Sequence, residues 1–127
     1  MRARRDPTEL LPLTPLSLAV LLALADGARH GYAILKELEQ GEPRVVTGAG
    51  TLYAALERML GEGLVAESEG TADDDGSGGP RRRYFALTPF GRDVARAELL
   101  RMAQLIAVGR AKRLVPELRL SVARGTA

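Results

Sequence analysis

Arginine is the most abundant side chain in this sequence that could bind a ligand, and its chemistry suits the recognition of phosphates and base edges. Sixteen of the eighteen basic residues in the 127-residue chain are arginine, whose planar guanidinium matches phosphate oxygens and the guanine edge. Residues for catalysis are scarce, because the chain has no cysteine and one histidine, His30. These counts exclude a disulfide framework, a thiolate metal site and a multi-histidine metal site. We therefore predict neither an enzyme nor a metal or cofactor site.

Charge is distributed unevenly along the chain, although its net value is only +2. Residues 1–60 carry seven bases and seven acids, residues 61–80 carry six acids and no base, and residues 81–127 carry eleven bases and three acids. The last segment is therefore strongly basic. Such clustering indicates a local surface for a polyanion that the net charge alone would not suggest.

Three consecutive arginines, Arg81, Arg82 and Arg83, open this basic segment. They follow an acidic, glycine-rich stretch and precede the apolar run YFAL, which places them on the return strand of a β-hairpin. We predict that they bind the phosphate backbone of DNA. The alternative is that they pair with the acidic run at residues 73–75, which could also screen the arginines until DNA displaces it.

A second candidate contact lies in the stretch TGAGTLYAALER, from Thr47 to Arg58. Its small residues would let a helix start approach another molecule closely, and free N–H groups at that start can bind a phosphate. Hydroxyl groups can donate to phosphate oxygens, and Arg58 can reach a phosphate or a guanine. For Tyr53, partial burial against the preceding helix is the alternative. The predicted DNA contacts in this stretch are Thr47, Gly50, Thr51, Tyr53 and Arg58.

Four helices and two strands are predicted to position these residues. Two threonine–proline pairs combine an N-cap hydroxyl with a proline at the first helical position, so they mark helix starts at Thr14 and Thr88. His30 precedes the second helix, where a structural role at the helix N-terminus is favoured over metal binding. Gly61 and Gly63 are predicted to end the third helix. The predicted helices cover about Pro15–Ala25, Tyr32–Gln40, Gly50–Leu60 and Pro89–Leu114, and the strands cover Leu64–Glu69 and Arg82–Leu87.

The order of these elements predicts a mainly α fold with a two-stranded β-hairpin, which is the arrangement of a winged helix-turn-helix domain. In that domain the third helix enters the major groove. We predict three segments: a basic N-terminal arm at residues 1–13, the winged domain at residues 14–88, and a C-terminal dimerisation helix and tail at residues 89–127. The long fourth helix carries an apolar stripe that so small a domain cannot bury. The predicted dimer contacts are Ala95, Leu99, Met102, Leu105 and Ile106.

Three stretches, TPLSLAVLLALADGARHGYAILKELEQ, GTLYAALERMLGEGLV and RRRYFALTPFGRD, resemble the PadR family of bacterial transcriptional regulators. The likeness extends from about Leu13 to Leu114, and the single C-terminal helix is similar to that of the smaller PadR subgroup. The resemblance implies a homodimeric repressor on a dyad-symmetric operator. It also implies that Tyr32, in the HGY motif, either contacts the DNA backbone or packs beneath the third helix.

Some small members of that family bind planar hydrophobic drugs in a tryptophan-lined pore at the dimer interface. The present sequence contains no tryptophan, and Met102 falls near the position that the resemblance assigns to that ring. A small hydrophobic effector at the interface is therefore expected without aromatic stacking on a tryptophan.

The leading prediction is a sequence-specific DNA-binding regulator in the cytoplasm. The longest apolar run, Pro15 to Ala25, has about half the ~20 residues needed to cross a bilayer, so no membrane association is predicted. The alternative is a winged-helix module that binds a protein and not DNA. Salt dependence distinguishes the two, since phosphate contacts weaken steeply as salt rises.

Overall fold

Four α-helices and a small antiparallel sheet make up the fold in the computed structural model, which describes residues 5–68 and 83–116. The structural statements below concern those residues. The predicted contacts Arg81 and Arg82, and the acidic run at 73–75, lie outside them. In chain order the elements are a 3-10 helix at Pro7–Leu10, α1 at Pro15–Ala23, β1 at Arg29–His30, α2 at Gly31–Gln40, α3 at Ala49–Glu62, β2 at Val65–Ser68, β3 at Tyr84–Leu87 and α4 at Pro89–Ala111.

The helix starts lie where the sequence predicts them. The Thr14 hydroxyl accepts the amide of Ser17 at the start of α1, and the Thr88 hydroxyl accepts the amide of Gly91 at the start of α4. His30 has the structural role that was predicted, because its Nδ1 accepts the amide of Ala33 at 3.1 Å. These side chains satisfy amides that have no partner within their own helix.

Of the two glycines that were predicted to end α3, only Gly63 does so. Gly63 caps the helix in the left-handed region at φ 78°, where glycine has no steric penalty. Gly61 lies inside the helix and therefore does not end it. The helices α1 and α4 are also shorter at their C-terminal ends than predicted, finishing at Ala23 and Ala111.

The sheet has three strands in the order β1-β3-β2. The predicted two-stranded hairpin is present as β2 and β3, but the prediction lacked the third strand, β1. Strands β2 and β3 pair antiparallel, with Val65 opposite Leu87. The added strand β1 pairs Arg29 with Phe85 on the other side of β3. Two residues are too few to produce an alternating pattern, so this strand could not be predicted from the sequence.

The core lies where α1, α2, α3 and the sheet meet the first turns of α4. Phe85 of the central strand is completely buried, as are Leu52, Leu56 and Met59 on one face of α3. On α4 the buried positions are Gly91, Val94, Ala95 and Glu98. Further core residues are Leu21, Leu24, Ile34, Leu38 and Leu64.

Residues 5–13, the described part of the predicted basic arm at residues 1–13, are attached to the rest of the fold. The Arg5 guanidinium donates to the carbonyl of Glu62 at 2.6 Å and lies 4.1 Å from the centre of the Phe90 ring. Further along, the amide of Leu13 donates to the carboxylate of Glu98 at 2.8 Å. These contacts attach the N-terminal segment to the end of α3 and to α4.

Candidate nucleic-acid interface

The N-terminus of α3 is bare, and it differs in this respect from the other three α-helices of the described chain. Its N-cap, Gly48, provides no side-chain acceptor, whereas α1, α2 and α4 are capped by Thr14, His30 and Thr88. Gly48 and Gly50 are exposed, and a Cβ atom at either position would meet no atom within 4 Å. Backbone N–H groups at this end are therefore reachable by an anion.

The packing of α3 holds this bare end outward. Leu52, Leu56 and Met59 are completely buried, so the helix cannot rotate without exposing its apolar face. Thr51 is exposed next to Gly50, with its hydroxyl near the helix start. Thr47 is half-buried just before the helix, and its hydroxyl donates to the carbonyl of Gly48 at 3.4 Å. The structure thus brings Thr47, Gly50 and Thr51 together.

Tyr53 lies on the flank of α3, where it is half-buried. Its hydroxyl and ring fill the space beside Gly31 at the start of α2, so closely that a Cβ atom on Gly31 would overlap them. The ring also contacts Phe85 edge-on, with a centroid distance of 6.3 Å. Tyr53 therefore follows the packing alternative and is not directed outward with Thr51.

Tyr32 is the most exposed aromatic side chain of the described residues, with 61% of its surface accessible. It lies in the first turn of α2, and its ring is parallel to that of His30 at 6.4 Å. The Lys36 ammonium is 5.6 Å from the Tyr32 ring centre. Of the two roles that the family resemblance implies for Tyr32, exposure favours contact with a partner over packing beneath α3.

Arg58 lies on the exposed side of α3 but is attached to another helix. Its Nη2 donates to the hydroxyl of the buried Ser17 in α1 at 2.9 Å. Its Nη1 is 3.4 Å from the carboxylate of Glu62, one turn further along α3. These bonds restrain Arg58, which was predicted to reach a phosphate or a guanine.

Arg83 immediately precedes β3 and is held by two carboxylates. Its Nη1 lies 2.8 Å from Glu57 of α3, and its Nη2 lies 2.7 Å from Glu67 of β2. The hydrogen bonds to Glu67 and then to Glu57 raise the pKa of Arg83 above its usual range. The same contact lowers the pKa of Glu67. Arg83 was predicted to bind phosphate or to pair with the acidic run at 73–75. Glu57 and Glu67 were not among these predicted partners.

The predicted dimer contacts on α4 have three kinds of surroundings. Ala95 is 7% exposed and belongs to the core of its own chain, so it is not available as a surface contact. Leu99, Leu105 and Ile106 are exposed, with 43% to 56% of their surfaces accessible. Met102 is half-buried and borders an apolar groove of about 530 Å³ between α1, the end of α2 and α4.

Within residues 5–68 and 83–116, no three His, Asp or Glu side chains are grouped closely enough to hold a metal ion. No helix in those two ranges combines the length and hydropathy needed to cross a bilayer.

Comparison with known proteins, by sequence and by fold, shows the family to which this chain is related. The transcriptional regulator PadR-like family matches residues 20–97. A curated relative, an uncharacterized 37.1 kDa protein in transposon TN4556 of Streptomyces fradiae, is 42% identical over 86 residues; the match covers 68% of this chain and 22% of that protein. The chain thus spans about a fifth of that relative's length.

Solved structures of PadR proteins share the fold. A PadR family transcription regulator from Clostridium difficile R20291 superposes with a TM-score of 0.65 at 26% identity, covering 77% of this chain and 97% of that one. PadR from Bacillus subtilis, solved in complex with operator DNA, gives a TM-score of 0.57 at 18% identity, covering 68% of this chain and 47% of that one. The match across residues 20–97 includes α2, α3 and the three strands described above, and the chain belongs to the PadR-like family of transcriptional regulators.

Proposed function

We propose that the protein is a homodimeric repressor that binds a dyad-symmetric DNA site, with α3 of each subunit in the major groove. The observation that carries this proposal is the bare start of α3, where Gly48 and Gly50 leave open space and no side chain caps the helix. Because the chain belongs to a family of transcriptional regulators, DNA is the expected partner of that surface. A helix start of this kind suits close approach to a phosphate.

The proposed contacts are those that the structure leaves accessible: Thr47, Gly50 and Thr51 at the start of α3, and Tyr32 on α2. Hydroxyl and backbone donors of this kind mainly position a protein on DNA, whereas sequence is read at the base edges. Arg58, tethered to Ser17, becomes a base contact only if it leaves that serine. We therefore expect specificity to depend strongly on how the two α3 helices are spaced.

Dimerisation is the second part of the proposal, and it rests on α4. This helix has 23 residues, which is about 35 Å at 1.5 Å per residue. Leu99, Leu105 and Ile106 are exposed along it, and a second copy of the chain would cover them. The paired helices would then set the distance between the two α3 helices, which must match about one turn of DNA.

The proposed effector is a small apolar molecule that binds in the groove beside Met102. Leu18, Leu22 and Leu38 line the same groove from α1 and α2. Because the groove adjoins the exposed face of α4, a bound molecule would shift the dimer toward a spacing that binds DNA less well, provided that it binds that state more tightly. Titration with the dye anilinonaphthalene sulfonate tests this: Met102→Asp should abolish dye binding, and undiminished binding would place the effector elsewhere.

The proposed function is tested by selecting bound duplexes from a random library with the purified protein. We expect an inverted repeat with half-sites about 34–36 Å apart. Affinity for the selected duplex, followed by fluorescence anisotropy, should fall steeply between about 50 and 200 mM salt. Failure to enrich any sequence, or binding that salt does not weaken, would instead support the protein-binding module.

A further inference from the structure

We propose that Arg83 is a positioning residue: its guanidinium, held between Glu57 of α3 and Glu67 of β2, fixes the sheet relative to the DNA-binding helix and does not itself bind phosphate. We call these three residues the α3–sheet clamp. The inference rests on the proposed DNA binding and assigns a role to two acidic residues close to the proposed DNA surface.

The geometry of the clamp joins two separate elements. Nε and Nη2 of Arg83 donate to the two carboxylate oxygens of Glu67, at 3.2 and 2.7 Å, which is a bidentate pairing within the sheet. Nη1 donates to Glu57 at 2.8 Å, and this bond crosses to α3. The guanidinium carbon also lies 5.2 Å from the centre of the Phe85 ring, in the core of the sheet. All three donor atoms that are used point to carboxylates.

The charge of the clamp opposes binding of phosphate at Arg83. Two carboxylates surround one guanidinium, so the group has a net charge of −1. A phosphate that approached Arg83 would have to displace a carboxylate and would remain close to both acids. Since a phosphate and a carboxylate compete for the same bidentate donors, the arginine is already occupied by partners of the right geometry.

The position of the clamp explains what its bonds achieve. Glu57 is two turns along α3 from Gly50, on the exposed side of the helix. Arg83 is the residue that leads into β3, the strand at the centre of the sheet. The half-exposed side chains contribute little to overall stability, as is usual for surface ion pairs. These ion pairs instead set the orientation of the sheet relative to α3. That orientation matters because the angle between α3 and the sheet determines whether both can contact the same duplex.

The experiment is a double-mutant cycle of Glu57→Gln and Arg83→Gln, measured by anisotropy on the duplex selected by the wild-type protein. We expect each single variant to bind about tenfold more weakly, and the double variant to bind no more weakly than either single one. The slope of log affinity against log salt should not change. Arg83→Lys should not restore binding, because an ammonium lacks the bidentate fork.

A phosphate contact at Arg83 predicts different results. Arg83→Gln would then reduce the salt slope by about 0.9, and Glu57→Gln would strengthen binding by removing a repelling charge. Either result, or additive losses in the double variant, would overturn the inference. Additive losses would mean that Glu57 and Arg83 act on DNA independently.

Matched controls come from another exposed pair, Asp93 and Arg96 of α4, whose charged atoms are 3.4 Å apart. Asp93→Asn and Arg96→Gln make the same changes in charge as the clamp variants and should leave affinity unchanged. Melting curves by circular dichroism verify that every variant is folded. If the wild-type protein selects no duplex, the proposed function and this inference both fail; if it does and the cycle is additive, only this inference fails.

Discussion

Three glycines of the described chain have quite different surroundings, and the differences indicate what each does. A Cβ atom on Gly31 would overlap the Tyr53 ring, and one on Gly91 would overlap the carbonyl of Leu64. These two glycines are therefore required for packing. Gly50 has open space around it, although glycine is a poor helix former. Its presence in the first turn of α3 is consistent with the close approach of DNA that is proposed for this end of the helix.

Replacement of Gly50 by leucine should separate DNA binding from stability. Leucine favours the helix by up to about 1 kcal/mol over glycine, so the free energy of unfolding should stay the same or rise. Its side chain would occupy the space through which DNA approaches, so we expect a loss of affinity of at least about tenfold, measured by anisotropy. Gly61→Leu is the matched control, since Gly61 lies in the same helix with equally open surroundings. Equal losses in the two variants would contradict the proposed interface.

Glu98 is a charged residue that the chain buries completely. Arg101 donates to both of its oxygens, at 2.6 and 3.2 Å, and the amide of Leu13 donates to one of them. Hydrogen bonding by Arg101 is the main reason that the pKa of Glu98 lies below its ordinary value of 4.5, although burial alone would raise it. The carboxylate therefore supports the attachment of the N-terminal segment most strongly while it is ionised.

Stability should accordingly depend on pH through Glu98. Because its pKa is lower in the folded state, its contribution is complete above about pH 4.5 and is lost as the pH falls through the folded-state pKa. Glu98→Gln should cost about 1–3 kcal/mol at neutral pH, where a charge-assisted hydrogen bond is lost. Urea unfolding of both proteins from pH 7 to pH 3 measures this, and the two curves should converge at the acidic end. A constant difference at every pH would contradict the assignment.

At the scale of the elements, the motifs that suggested the family form one connected packing arrangement. The glycine of HGY accommodates the tyrosine of TLY, as Gly31 and Tyr53 show. The threonine of the LTPFG motif, Thr88, donates to the carbonyls of Gly63 and Leu64, in the EGL motif, at 2.6 and 3.0 Å. The motifs therefore show how α2, α3 and α4 are joined, and they also contain Tyr32, Gly50 and Thr51, which are proposed to contact DNA.

Thr88 should be sensitive to loss of its hydroxyl. It caps α4 by accepting the amide of Gly91 and also donates to the end of α3. Thr88→Val keeps the shape and removes the hydroxyl, so we expect a loss of about 1–2 kcal/mol in the free energy of unfolding. Thr88→Ser retains the hydroxyl and should lose less than half of that amount. Thermal or urea unfolding compares them, and equal destabilisation by valine and serine would show that the methyl group matters more than the cap.

The sequence predicted the elements that have periodic or capping signals and missed those without them. Threonine–proline pairs are local patterns, and the helices that they predict after Thr14 and Thr88 are present. The strand β1 and the 3-10 helix are too short to show a period. The attachments of Glu98 and Arg83 were missed because charged residues on a helix or strand are usually solvated. Their partners, Leu13 and Glu57, are distant in sequence, and nothing in the local pattern indicates them.

At the scale of the whole molecule, one face of α4 is buried at its N-terminal end and exposed at its C-terminal end. At 100° per residue, Val94, Glu98, Leu105 and Ile106 lie on the same broad side of the helix. Val94 and Glu98 are covered by their own chain, whereas Leu105 and Ile106 remain exposed. The helix extends beyond the part of its own chain that covers its first turns. An apolar face that continues past the core in this way is typical of a surface that another chain covers.

Leu99→Glu combined with Ile106→Glu should therefore convert the protein to monomers. A second chain would have to bury both carboxylates without partners, which costs more than the apolar contacts return. Light scattering coupled to size-exclusion chromatography measures the mass, and anisotropy on the selected duplex should show that specific binding is lost. Leu100→Glu combined with Gln104→Glu is the matched control, because it adds two charges on the opposite face of α4, and it should remain dimeric. Since each subunit supplies one α3, a monomer loses the gain in affinity from two linked half-sites; a monomeric variant that still bound the full site tightly would refute the proposed role of α4.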